Sequence, residues 1–388
     1  MRRADRGTRH AERGTRLANL LLRTRSKRQA VLPPDRGFGV YSRRLPMMRA
    51  TTRRSVLSTG LAAGVLAAPG VRAQAARRRV RFCLDWTWQS AHSAWTLAAD
   101  RNFFSEAGLD VQIDRGFGSG DTMTKVAAGT YDIGFADTNL LLKFNHENPT
   151  AQLTSVFILY DASPNAAIFL KSTGITKPKD LEGRKISVTD GEGTRLLFPI
   201  FARANQLDMS KIELLSVTAQ LRDTMVVQRR ADATLGFLTT TALNMVGAGV
   251  PRGDIGWLQY NSWGVALYSS GLVVRKDYAE RNPEAVSAFI AATIRGLRAM
   301  LADPVAAMAS LKRREALIDE AIEISRNELI NEVALLTANV RANGVSTVDR
   351  ARFESSAAQV AEAFQIPIRP PMDFTYTDRF LPADRRII

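Results

Sequence analysis

Three tryptophans, Trp86, Trp88 and Trp95, fall within ten residues, interleaved with polar Asp85, Gln89 and Ser90 and followed by His92. An indole offers a flat face for stacking a heteroaromatic ring, and an imidazole gives or takes a hydrogen bond beside it. Simple core packing is the plainer alternative for these aromatics. Two further stretches place small and polar residues ahead of helical patterns: Gly118, Ser119, Gly120, Asp121 and Thr122, then Gly191, Glu192, Gly193 and Thr194. Free backbone N–H groups at such helix starts can hold an anion or a carbonyl, whereas Ser119 reads equally well as an ordinary helix cap. Asp137 and Glu192 are carboxylates able to accept from an amino group, or else hinge and cap residues. Trp263 and Tyr268 are aromatics able to cover a bound ring, or to pack.

This is binding chemistry. The chain of 388 residues has one cysteine, Cys83, and three histidines, His10, His92 and His146. That excludes a disulfide framework, a cysteine zinc site and an H-E-x-x-H metalloenzyme. Neither glycine-rich stretch carries the Gly-Lys-Ser/Thr of a phosphate loop or the third glycine of a dinucleotide fingerprint. No G-x-S-x-G elbow, Ser-His-Asp set or paired-carboxylate motif emerges, and no cofactor or metal is called for.

Alternating elements position these residues. Strands are predicted at 80–84, 109–113, 133–135, 153–159, 166–170, 185–188, 213–217, 233–236 and 271–275. Helices are predicted at 93–101, 122–128, 195–205 and 222–229. Such alternation argues for an α/β fold with mostly parallel sheets, ligands binding where loops leave the strand ends. The C-terminal third turns helical, with patterns at 283–301, 317–343 (closed by Gly344) and 351–364, and with Asp303 and Pro304 as cap and first turn of another helix.

The formal charge of +15 suggests a nucleic-acid binder until it is divided. Residues 1–79 carry 20 Lys+Arg against 3 Asp+Glu, and residues 80–388 carry 33 against 35. The excess belongs to a leader. Residues 1–47 read as an over-extended start or a disordered tail, and residues 48–75 as a signal peptide. In it Arg53 and Arg54 precede 13 uncharged residues (56–68), then Pro69, Gly70 and an A-x-A site at Ala73, Gln74 and Ala75. The run is too short for a ~30 Å hydrocarbon core, and the paired arginines resemble the twin-arginine export motif. A mature chain starting near Ala76 in the periplasm follows, with no claim from nucleic acid.

Four motifs in order carry a family resemblance. They are LDWTWQSAH with AADRNFFSEAGLDVQI, then GFGSGDTMTKVAAGTYDIGFAD, then GITKPKDLEGRKISVTDGEGT, and finally SSGLVVRKDYAERNPEAVSAFI. Together, over 80–381, they resemble the ABC-transporter solute-binding proteins for nitrate, sulfonates, taurine and thiamine-pyrimidine precursors. The resemblance implies a type II periplasmic-binding-protein clamshell with two crossovers: lobe one at 80–164 plus 271–388, lobe two at 165–270, and extra C-terminal helices. It implies a small-molecule ligand held between lobes by Trp86, His92, Ser119, Gly120, Asp137, Glu192, Thr194, Trp263 and Tyr268. It also implies a monomer that meets the membrane only through an ABC permease and its ATPase. A pyrimidine-like heterocycle is the favoured ligand, with an alkanesulfonate, taurine or nitrate as the alternative. The thiamine pyrimidine synthases share these motifs, but their Lys/His pair corresponds to Ala136 and Leu140 here and their cysteine cluster is missing. The expectation is a binder and no enzyme.

Overall fold

The computed structural model describes residues 77–367 and 375–388. The expected signal peptide and its arginine pair lie outside these residues. Among the described residues ten strands form two five-stranded sheets: β1 (Arg78–Cys83), β2 (Leu109–Asp114), β3 (Ile133–Asp137), β4 (Leu153–Ile158), β5 (Asn165–Leu170), β6 (Lys185–Val188), β7 (Glu213–Ser216), β8 (Ala233–Phe237), β9 (Ile255–Gln259) and β10 (Ser270–Arg275). Sheet one runs β2-β1-β3-β10-β4 and sheet two runs β7-β6-β8-β5-β9. In each, the first three strands are parallel and the last two pairings antiparallel. The chain passes between sheets twice, after β4 and after β9, and β10 returns to the middle of sheet one. This is the two-lobed clamshell.

In sheet one both the internal strand β3 and the edge strand β4 are buried at every position. The helices that matter to the site are α1 (Ser93–Asp100), α2 (Ser119–Ala127), α3 (Leu141–Glu147), α4 (Gly193–Ala204), α5 (Ala219–Val227) and α6 (Leu238–Gly247). α7 (Pro283–Ala302) is apolar and long enough to cross a membrane by composition. Its stripe of Val286, Phe289, Ile290, Ile294 and Leu297 is instead buried in the core of lobe one. Gly296 lets α7 press on α1: a Cβ there would stand 2.3 Å from the Ala94 carbonyl oxygen.

The predicted long helix over 317–343 is broken. The structure has α8 (Glu320–Ile330), a wide π turn at Asn331–Leu335 and a short helix at Ala338–Asn343. Thr337 makes the break, its side chain accepting from Val340 N while its hydroxyl donates to Asp161 in the first crossover. Pattern reading also missed β9, α3 and α6. The run in α6, LTTTALNMVG, is rich in β-branched threonine, and burial rather than propensity makes it helical.

The C-terminal helices tie the lobes together. On α8, Glu323 accepts from Ser90 N of lobe one at 2.6 Å, and Arg326 donates to the Thr239 and Thr240 carbonyls of lobe two. α9 (Arg350–Ala363) lies over the crossovers, where Arg352 donates to the carbonyls of both Asp161 and Leu267.

Candidate functional site

The carboxyl ends of the parallel strands of both sheets face one cleft, the position where open α/β sheets hold ligands. In this closed arrangement the cavity left there measures about 30 Å3, and its mouth is partly open to solvent. Asp85, Trp86 and Gln89 line it from the segment after β1, and Gly118 and Ser119 from the start of α2. Across the gap stand Glu192 and Gly193 at the start of α4, with Phe237 and Thr240 where β8 runs into α6.

The lobes touch across this cleft. Gly120 N donates to Gly191 O at 2.9 Å, and the Thr240 hydroxyl donates to Gln89 Oε1 at 3.0 Å. Only glycine permits that approach at Gly118, which has φ +122° and lies where a Cβ would stand 2.6 Å from Gly191 O. The molecule is therefore in a closed form.

Trp86 and Glu192 carry most of the cleft's chemistry. The Trp86 indole is 9% exposed, with the Arg222 guanidinium 5.1 Å from its ring centre. Glu192 is 8% exposed; one carboxylate oxygen, Oε1, pairs with Arg222, and the other, Oε2, is buried with no partner. Burial pushes the Glu192 carboxyl above the usual range, and Arg222 pulls it partly back. Arg222 is itself buried at 1% exposure, with Nε on Asp223 at 2.8 Å and Nη2 on the Thr241 hydroxyl at 2.8 Å. Burial acts to lower its pKa, and Asp223 and Glu192 outweigh it and raise it. Each of its three nitrogens therefore has a partner.

The remaining expected residues are dispersed around this centre. His92 is buried behind the cleft wall, Nε2 on Asp85 at 3.1 Å, its ring near those of Trp95 and Phe135. It orients Asp85 and does not line the cavity. Ser119 lines it, its hydroxyl accepting from Asp137 N at 3.0 Å. Gly120 lies at the rim, in the contact already described. Asp137 and Thr194 belong to the hinge. Asp137 Oδ1 accepts from the backbone and side chain of Asn139, and Oδ2 from Asn165 and Ser269, next to both crossovers. The Thr194 hydroxyl donates to Asn165 Oδ1 at 2.5 Å.

Trp263 and Tyr268 require correction, since the structure seats neither over the cleft. Trp263 caps the end of α4, its carbonyl accepting from Asn205. Tyr268 is 1% exposed against Phe353 and Tyr376 under α9, its hydroxyl accepting from Asp349 N. Both lie on the crossover that leaves β9, which carries them to the hinge side. Conversely, the sequence reading passed over Arg222, Phe237 and Thr240. The only signal for Arg222 was a basic residue at the start of a helix, which ordinarily marks a solvated face.

Ala136 and Leu140, which the resemblance sets against the synthase Lys and His, are buried in an apolar cluster drawn from both lobes. Cys83 is buried, its thiol pushed up to about 11 by burial. Among the described residues no group of three or more His, Cys, Asp or Glu is placed to hold a metal.

Fold and cleft define the class: a two-lobed periplasmic-binding-protein architecture. The family model described as "NMT1/THI5 like" matches residues 89–307, more than half of the chain, and the protein belongs to that family. A formylaminopyrimidine-binding protein of Halalkalibacterium halodurans is 24% identical over 228 residues, covering 58% of this chain and 67% of that one. A 4-amino-5-hydroxymethyl-2-methylpyrimidine phosphate synthase of Aspergillus parasiticus is 26% identical over 239 residues, covering 59% and 68%. Among solved structures, the alkanesulfonate-binding protein of Xanthomonas axonopodis bound to MOPS aligns with a TM-score of 0.59 at 16% identity, over 78% of this chain and 99% of the other. At that identity the likeness is one of fold.

Proposed function

We propose that this protein is the periplasmic solute-binding component of an ABC importer, closing its lobes on a small nitrogen heterocycle that carries N–H donors and handing it to a permease driven by an ATPase. One observation carries the ligand class: Glu192 Oε2, buried and without a partner, beside the Trp86 indole. A buried acceptor left unpaired costs free energy that a ligand N–H recovers on binding. The same geometry weighs against a small anion. Asp85 and Glu192 both line the cleft, and each nitrogen of the buried cation Arg222 already has a partner in Glu192, Asp223 or Thr241. The starts of α2 and α4 keep the anion reading as the second one.

Calorimetry on protein beginning at Ala76 tests this. Aminopyrimidines are expected to bind and alkanesulfonates, taurine and nitrate to give no heat. Tight sulfonate binding with no pyrimidine response would overturn the ligand class. Supporting a non-enzymatic role are Ala136 and Leu140 in place of the synthase Lys/His pair. The export route rests on the sequence alone: Arg53 and Arg54 ahead of an uncharged run. Replacing both with lysine is expected to leave the protein unprocessed in the cytoplasm; continued export of the Lys pair would refute a twin-arginine route.

A further inference from the structure

We infer that Arg222 is the positioning residue of the cleft, holding Glu192 Oε1 and one face of Trp86 so that Glu192 Oε2 meets the ligand purely as an acceptor. The inference rests on the ligand class proposed above. Arg222 comes from α5 in lobe two, and the guanidinium reaches Trp86 of lobe one. Its place is reserved by backbone: a Cβ on Gly236 of β8 would lie 3.0 Å from the Arg222 guanidinium carbon. Asp223 is in turn fixed by Asn244 Nδ2 at 2.7 Å, so the fork has a rigid mount on α5 and α6.

The arrangement makes chemical sense as a selector. A carboxylate whose one oxygen is held by a guanidinium presents the other in a fixed direction, and the neighbouring cation favours its ionised form. An ionised carboxylate takes only donors, so the site discriminates an exocyclic amino group from a carbonyl at the same ring position. The charges facing Glu192 are Arg222, Asp223 and Asp85, with Tyr260 near by. Removing Arg222 leaves the carboxylates facing one another, and Glu192 then takes up a proton at higher pH.

Titration calorimetry with 4-aminopyrimidine over a pH series tests this in the wild type, Arg222→Lys, and the double variant Arg222→Met/Asp223→Asn. The double variant avoids leaving Asp223 unpaired, and cooperative melting of each protein checks that it is folded. Both variants are expected to bind about tenfold or more weakly at neutral pH, the double variant more so. In the double variant, which lacks the cation, the pH at which binding fails should also move upward relative to wild type. The probe's own protonation is common to all arms, so the difference between proteins reports the site. Wild-type affinity in the variants, or weaker binding of the double variant with an unmoved pH midpoint, would overturn the inference, the second outcome marking a merely structural role. Failure of the ligand class shows in the wild-type arm alone, as no binding of the probe.

Discussion

Glu192→Gln is expected to weaken aminopyrimidine binding by about ten- to a hundredfold, the range for losing one charge-assisted hydrogen bond. The new amide keeps the shape of the side chain. Its oxygen is claimed by Arg222, which still has Asp223 and Thr241 as partners. The NH2 group then points where Oε2 was, so donor meets donor. An anionic ligand would gain from the same change, since it loses a neighbouring negative charge. The sign of the affinity change therefore separates the two ligand classes in one variant. The pH dependence follows from the raised Glu192 carboxyl. Binding needs the ionised form, so affinity is full well above that elevated value and falls as pH drops through it. Titration calorimetry on the wild type and the variant checks both points, and a pH-independent wild type would contradict the acceptor role.

Asp137→Ala is expected to cost stability rather than specificity, by about 3–5 kcal/mol. Asp137 is fully buried, and its carboxylate collects donors from Asn139, Asn165 and Ser269. Removing it orphans all of them at the point where both crossovers meet lobe one. In a body of this size each 1 kcal/mol moves Tm by roughly 2–4 °C, so a drop of about ten degrees should be visible by calorimetric melting. The pH trend has a definite sign. Burial raises the Asp137 carboxyl above its unfolded value, with Asn139, Asn165 and Ser269 working against the rise. A raised group stabilises the fold most below its unfolded pKa and loses that contribution as pH climbs through the folded value. The penalty of Asp137→Ala should then be larger in mild acid than at neutral pH. A variant melting like the wild type would show that the carboxylate is not the hinge anchor described here.

Much of this molecule was legible before any coordinates. The alternation of short apolar runs with helical patterns is a property of the chain itself, because a strand buried on both faces needs continuous apolar residues. Nine of the ten strands were placed that way. The strand it missed, β9 (Ile255–Gln259), sits at the edge of sheet two with half-buried Trp257 and Gln259, and an edge strand needs less apolar sequence to hold it. The 317–343 pattern misled for the opposite reason: its helical periodicity is real, but Thr337 bonds to Asp161 across the fold, a partner that periodicity does not register.

The candidate site divides in the same manner. Trp86, Ser119 and Glu192 were visible because aromatics beside polar residues, and small residues before helices, have local meaning. Trp263 and Tyr268 share that local chemistry but sit on a crossover that carries them to the hinge side, and only the path of the chain decides that. The one local signature of Arg222, a basic residue near a helix start, pointed to solvent. A guanidinium is a solvated surface group unless partners remote in sequence, here the Glu192 carboxylate and the Trp86 indole, converge on it. By itself the sequence determined the alternating fold, the basic excess within residues 1–79 and the residue types at the cleft. The tertiary structure decided which of them face the ligand, because burial and pairing are set by contacts that sequence neighbours do not make.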